Sequence, residues 1–238
     1  MSAREEKQRI RERVWALLLR EGVARPPFPI QGRIPNFQGA EAAAQRLLQL
    51  HHFKSARTVK VNPDSPQRHV RELCLRSGKT LVMPTPRIRG GFLLLEPSRI
   101  DASEYRLAST IRGGFIYGER VEPESLGSVD VIVAGSVAVS LAGARVGKGE
   151  GYSEIEYAIL RMLGKVHDET PIITTVHTIQ IVDIIPLEEF DVPVDYIATE
   201  KSLIATGTTI QKPRGILWHL LEEKKIEEIP LLKRLRRA

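Results

Sequence analysis

Within the run Gly143-Ala144-Arg145-Val146-Gly147-Lys148-Gly149-Glu150-Gly151-Tyr152-Ser153-Glu154-Ile155-Glu156-Tyr157, glycines 147, 149 and 151 alternate with Lys148 and Glu150. A glycine backbone reaches φ > 0 and comes close to a ligand where a Cβ would obstruct it. Upstream, Asp130-Val131-Ile132-Val133-Ala134 has the apolar make-up of a buried strand. Downstream, Ser153 and Glu156 have capping-box spacing, which predicts a helix from there to near Gly164. Strand, glycine loop and helix N-terminus in that order build an anion site, because free N–H groups and the positive end of the helix dipole converge on one point. Arg145 and Lys148 add two cations. The run predicts a phosphate-binding loop.

The spacing differs from two common phosphate loops. A Walker A loop requires G-x-x-x-x-G-K and then Ser or Thr, but Gly143 stands one residue too close and Gly149 follows Lys148. A dinucleotide fingerprint requires G-x-G-x-x-G, and Gly147, Gly149 and Gly151 have the wrong final gap. The competing interpretation is a plain glycine turn joining strand to helix.

Composition bounds the remaining choices. The chain has 238 residues, 42% hydrophobic and 27% charged, which describes a folded globular protein. No apolar run approaches the ~20 residues of a membrane helix, and the N-terminus lacks a signal-peptide core. Cys74 is the one cysteine, so there is neither an intrachain disulfide nor a cysteine-based zinc site. A cytoplasmic protein is expected. A net charge of +6 and a pI near 9.5 favour anionic partners: nucleotides, a polyanionic small molecule or nucleic acid.

Along the chain, residues 2–21 predict a helix, with Ile10, Val14, Leu17 and Leu18 at helical spacing and Gly22 at its stop. Lys7 and Arg11 stand four apart on one face, where like charges repel unless an anion lies between them. A solvated basic face is the alternative, since Arg4, Arg9 and Arg13 share the helix. Residues 25–39, with four prolines and two glycines, predict an extended connector. A helix is expected over 38–50, strands over 57–61 and 79–83, and between those strands a helix started by Ser65 and Pro66. Ile-Arg-Gly-Gly-Phe occurs at 88–92 and again at 111–115, both expected as ordered loops or hairpin edges. Arg87, Arg89 and Arg112 there either face an anionic ligand or decorate glycine turns. Residues 171–185 and 194–205 are β-forming, and a last helix is expected from Lys212. The tail carries Lys233, Arg234, Arg236 and Arg237 with no acid, either a frayed basic end or a nucleic-acid contact. Strands alternating with helices imply an α/β sandwich with a largely parallel sheet. The expected layout is a single domain over 1–238: a helical arm (1–24), the connector (25–39), an α/β core (40–212) and a C-terminal helix with its tail (213–238).

Arg145 to Tyr152, as R-x-G-x-G-x-G-Y, resembles the signature loop of the 5-formyltetrahydrofolate cyclo-ligases, also called methenyltetrahydrofolate synthetases. Arg33-Ile34-Pro35-Asn36-Phe37, Pro84-Thr85-Pro86-Arg87 and Gly135-Ser136-Val137-Ala138-Val139 are similar to runs in the members called methenyltetrahydrofolate synthase domain-containing proteins. The resemblance spans roughly Lys7 to Trp218. It implies a three-layer, Rossmann-like fold of the ribose-phosphate isomerase and CoA-transferase type. It also implies ATP-dependent conversion of 5-formyltetrahydrofolate to 5,10-methenyltetrahydrofolate, with Mg²⁺.

By that resemblance the nucleotide is held by Lys7, Arg11, Arg145, Gly147, Lys148, Gly149, Glu150, Gly151 and Tyr152, with Lys7, Arg145 and Lys148 acting in catalysis. Asp191 falls where the family has a magnesium-associated aspartate; an ordinary loop-end cap is the alternative. Three departures stand out. Ser153-Glu154-Ile155 replaces the family's Y-D-R, which makes Glu154 the substitute metal-side acid. The family's pterin-holding glutamate has no counterpart in Val61-Asn62-Pro63-Asp64-Ser65-Pro66, where Asp64 is the nearest acid. Phe190 stands where the family has His or Asn. The phosphate half of the pattern is fuller than the folate half, so two rivals stand beside the enzyme: a non-catalytic nucleotide- or folate-binding relative, and an RNA-associated basic protein.

Overall fold

The computed structural model describes residues 2–237. Among them the framework is an eight-stranded sheet. In chain order its strands are β1 Thr58–Val61, β2 Thr80–Pro84, β3 Phe92–Leu95, β4 Glu119–Val121, β5 Val131–Ala134, β6 Ile172–Thr175, β7 Tyr196–Ala198 and β8 Leu203–Ala205. Across the sheet they run β8-β7-β6-β5-β1-β2-β3-β4. The central five, β7-β6-β5-β1-β2, are mutually parallel, and β8, β3 and β4 join antiparallel at the edges. Every residue of β5 and β6 is buried, as expected of strands covered on both faces.

Strand alternation divides the apolar side chains between two cores. Val59, Val61, Val131 and Val133 pack on one face with Leu47, Phe53, Val70 and Cys74 from the helical segments over 40–76. Ile132 and Ala134 pack on the other with Tyr157, Ile159 and Leu160 of helix Tyr152–Met162. This is the three-layer α/β sandwich the sequence implies.

A three-stranded sheet of Ala138–Ser140, Arg145–Val146 and Ile181–Val182 stands beside the main one. Helix Ala3–Arg20 docks there, burying Ile10, Val14 and Leu18 among Val137, Ala138 and Val146. That docking brings the N-terminal helix over the glycine loop.

Several expectations are corrected. Ser153 and Glu156 form no capping box: the helix starts at Tyr152, capped by Gly151 at φ 73 without a side-chain hydrogen bond. Glu156 is instead buried against Lys60, a long-range partner that outcompetes the local one. The second Ile-Arg-Gly-Gly-Phe is a helix, Ile111–Tyr117, because Thr110 accepts the N–H of Gly113 at 2.9 Å and starts it. A Cβ on Gly113 would lie 1.9 Å from the Leu107 carbonyl oxygen, so the close packing of this helix requires glycine there.

The last helix does not begin at Lys212. That residue donates to Asp195 at 2.9 Å in an extended segment, and helices Glu223–Glu228 and Pro230–Leu235 follow. The basic tail is not frayed: Leu231, Leu232 and Leu235 enter the core. Arg234 bonds Glu122 and Glu124, and Arg236 bonds Glu223. Cys74 is buried, as its apolar neighbours suggest. Among the described residues no helix is long and apolar enough to cross a membrane.

Candidate functional site

The strand order reverses between β1 and β5, and open parallel sheets bind ligands outside the carboxyl ends of strands at such a switch point. A cleft of about 1580 Å³ lies there, lined among others by Asn62 after β1 and Gly135 after β5. The glycine loop forms one wall and the N-terminal helix another.

The structure brings together the cations expected from sequence. The Arg11 Nε donates to the Gly147 carbonyl at 2.7 Å, tying helix to loop. Arg145 is buried; its Nη1 donates to the Gly135 carbonyl at 2.9 Å and its Nη2 to Glu154. Lys148 reaches Glu150 at 3.0 Å and Asp64 at 3.8 Å. Lys7 donates to Asp191 at 2.6 and 2.8 Å and to Glu188 at 2.7 Å, with its ammonium 5.5 Å from the Phe190 ring. Gly149 has φ 99, which favours glycine, and a Cβ there would lie 3.3 Å from the Arg11 Cζ, so that guanidinium would have to shift slightly. Gly147, by contrast, is outside the positive-φ region.

Burial sets much of the electrostatics. It lowers the Arg11 pKa, a tendency that Glu154, Glu188 and Asp191 oppose. It raises the carboxyl pKa of Asp191 despite the pull of Lys7. At Lys148 burial acts to lower the pKa, but Asp64 and Glu150 outweigh it and the ammonium is held above its ordinary value. Lys7, Arg145 and Lys148 are each matched with carboxylates, and the buried Arg145 Nε has no partner among the described residues. Anionic groups entering the cleft would meet cations already placed, at the expense of their carboxylate contacts.

Glu154 and Asp191, the expected metal-side acids, face these same cations. Among the described residues no three His, Cys, Asp or Glu form a metal cluster. Two carboxylates are donors of the kind Mg²⁺ takes, an ion that keeps waters and uses few protein ligands.

The C-terminal segment supplies a wall that the sequence did not reveal. Ile216, Leu217, Leu220 and Leu221 line the cleft, and Glu228 accepts from the Tyr152 hydroxyl at 2.9 Å and from Arg89 at 2.9 Å. Lys225 stands 3.5 Å over the Tyr152 ring. Burial and Glu228 push the Tyr152 phenol up to about 12. Arg87 also reaches Glu228, at 3.4 Å, whereas Arg112 is exposed on its helix. Lys60, Glu156 and Asn62 were missed as well. The available signal was Lys60 itself, a cation inside the apolar strand Thr58–Val61.

The sequence profile of the 5-formyltetrahydrofolate cyclo-ligase family matches residues 3–200. The chain is 44% identical over 234 residues to the Mus musculus methenyltetrahydrofolate synthase domain-containing protein, covering 97% of this chain and 63% of the relative. The Homo sapiens protein of that name is 43% identical over 234 residues, covering 97% and 61%. The chain thus spans about three fifths of the length of these curated relatives. Among solved structures, the Aquifex aeolicus 5,10-methenyltetrahydrofolate synthetase superposes with a TM-score of 0.52 at 21% identity, over 86% of this chain and 95% of that one. At that identity the likeness is one of fold.

Proposed function

The chain belongs to the 5-formyltetrahydrofolate cyclo-ligase family, and from that premise we propose that its cleft binds MgATP beside 5-formyltetrahydrofolate and closes the folate ring at the expense of the nucleotide. The observation that carries this reading is the convergence of Lys7, Arg11, Arg145 and Lys148 on one glycine loop at the switch point of the sheet. In the reaction the formyl oxygen attacks the γ-phosphate and ADP departs. N10 then attacks the activated carbon, phosphate leaves with loss of the N10 proton, and 5,10-methenyltetrahydrofolate results. Such chemistry calls for alignment and charge neutralisation more than for a strong base.

In this chain Arg145 and Lys148 would flank the phosphates, and the N–H groups of the loop and of the helix N-terminus at Tyr152 are the backbone donors available to them. Arg11 holds the loop through the Gly147 carbonyl. Lys7 carries charge to the same point and orients Asp191. Glu154 and Asp191 would hold Mg²⁺, which when bound neutralises phosphate charge.

A second reading, a relative that binds nucleotide without folate turnover, is favoured by one observation: Asp64, the nearest acid to the missing pterin glutamate, lies 3.8 Å from Lys148. Incubation with MgATP and 5-formyltetrahydrofolate decides between them. Growth of the near-ultraviolet absorbance of 5,10-methenyltetrahydrofolate is expected. Nucleotide binding without that product would favour the second reading, and absence of nucleotide binding would overturn both.

A further inference from the structure

Lys60 sits in β1 between Val59 and Val61, and alternation turns it away from those valines toward helix Tyr152–Met162. It is 1% exposed. Its ammonium donates to Glu156, itself buried, and to the Asn62 Oδ1 at 2.9 Å. A buried ion pair is weak support for a fold, since a well-packed apolar pair often does as well or better. Its effect is felt instead at Asn62.

Asn62 lines the cleft with almost all of its polar atoms committed. Its N–H donates to the Val133 carbonyl at 3.1 Å, which extends the β1–β5 pairing by one residue. Its own carbonyl accepts from the buried Arg71, whose guanidinium also donates to the Ser109 carbonyl at 2.7 Å and the Asp64 carbonyl at 3.1 Å. An ammonium has donors only, so Lys60 can face only the oxygen of the side-chain amide. That fixes the amide orientation and turns Nδ2 toward Ser153, which lines the same cleft. The protein partner of Nδ2 is the Ser153 Oγ, at a long 3.4 Å.

We propose that Lys60 is a positioning residue for Asn62, and that the Asn62 Nδ2–H is the donor that orients the second substrate, the one without phosphates, through a carbonyl oxygen or an unprotonated ring nitrogen. The proposal rests on the two-substrate reading above and adds to it the polarity of one contact. A ligand presenting an N–H at this point would meet donor with donor, leaving both unpaired.

The test compares Asn62→Leu and the double variant Lys60→Met/Glu156→Leu with the wild type, using 5-formyltetrahydrofolate and MgATP as probes. Each variant is expected to raise KM for 5-formyltetrahydrofolate about tenfold, the loss of one directed hydrogen bond, with MgATP affinity within about twofold of wild type. The double variant keeps Asn62 and removes both members of the buried pair, so it isolates positioning from contact. A changed melting temperature with unchanged KM would show that the pair serves the fold alone and would overturn the proposal. Equal loss of both ligands would overturn it too. If the wild type binds 5-formyltetrahydrofolate without turnover, the reaction proposed above falls, and Kd from calorimetry decides the present point on the same variants. If the wild type does not bind it, both fall.

Discussion

Lys7 and Asp191 lie 184 residues apart in the chain and share hydrogen bonds of 2.6 and 2.8 Å beside the glycine loop. The pair is nearly closed to water, with side chains 5% and 10% exposed. It joins the N-terminal helix to the segment before β7, and so closes the cleft from two sides. Lys7→Met leaves Asp191 and Glu188 without their ammonium. The expected loss is about 3–5 kcal/mol of unfolding free energy, as for removal of one partner of a buried pair, measured by urea denaturation.

On the proposed nucleotide site, Lys148→Ala would remove a charge-assisted phosphate contact and is expected to weaken MgATP binding by about 1.5–3 kcal/mol in calorimetry. Unchanged affinity would remove Lys148 from the site. Gly149→Val is expected to be worse, since a β-branched residue resists φ 99 and would press on the Arg11 guanidinium.

Glu154→Gln separates metal-holding from simple ion pairing. As a magnesium ligand, Glu154 is expected to be indispensable for turnover, with far-ultraviolet dichroism unchanged. If its role is confined to Arg145, activity will persist and the melting temperature alone will fall.

Burial pushes the Cys74 thiol up to about 12. At pH 8 the buried thiol is held almost wholly neutral, so a disulfide reagent is expected to react on unfolding and not before. The linked stability has a definite sign. The neutral thiol is favoured in the fold, so this contribution is intact below the unfolded thiol value near 8.5 and is lost as pH rises toward 12.

Leu232 is fully buried in the core although it lies in the basic tail. Leu232→Ala is expected to cost about 2–5 kcal/mol in thermal or urea unfolding. A cost near zero would mean that helix Pro230–Leu235 does not support the fold.

What the sequence disclosed was local. The glycine spacing, its flanking cations and the apolar run over 130–134 carry their meaning within a few residues, and the structure places Lys7, Arg11, Arg145 and Lys148 in one cleft. The Lys60–Glu156 pair spans 96 positions, and no window of sequence contains both members. The same distance effect undid the capping box, because Glu156 had a better partner than its own helix end. Two identical pentapeptides also diverged. At the first, the Thr85 hydroxyl accepts from Gly90 in a turn that leads into β3; at the second, Thr110 starts a helix. The upstream threonine stands three residues before the first copy and immediately before the second, a difference that the shared pentapeptide does not encode.

The wall contributed by the C-terminal segment bears on how the protein comes to life on the ribosome. Glu228 lies 76 positions beyond Tyr152, whose hydroxyl it accepts, and 141 beyond Arg87. A nascent chain holding everything through β8 already has the switch point, the loop and the Lys7–Asp191 clasp, yet one side of its cleft is open until residues 213–228 emerge. Translation thus leaves the pocket incomplete until that segment is made, and a chain stalled before it would carry the glycine loop without the wall beside it.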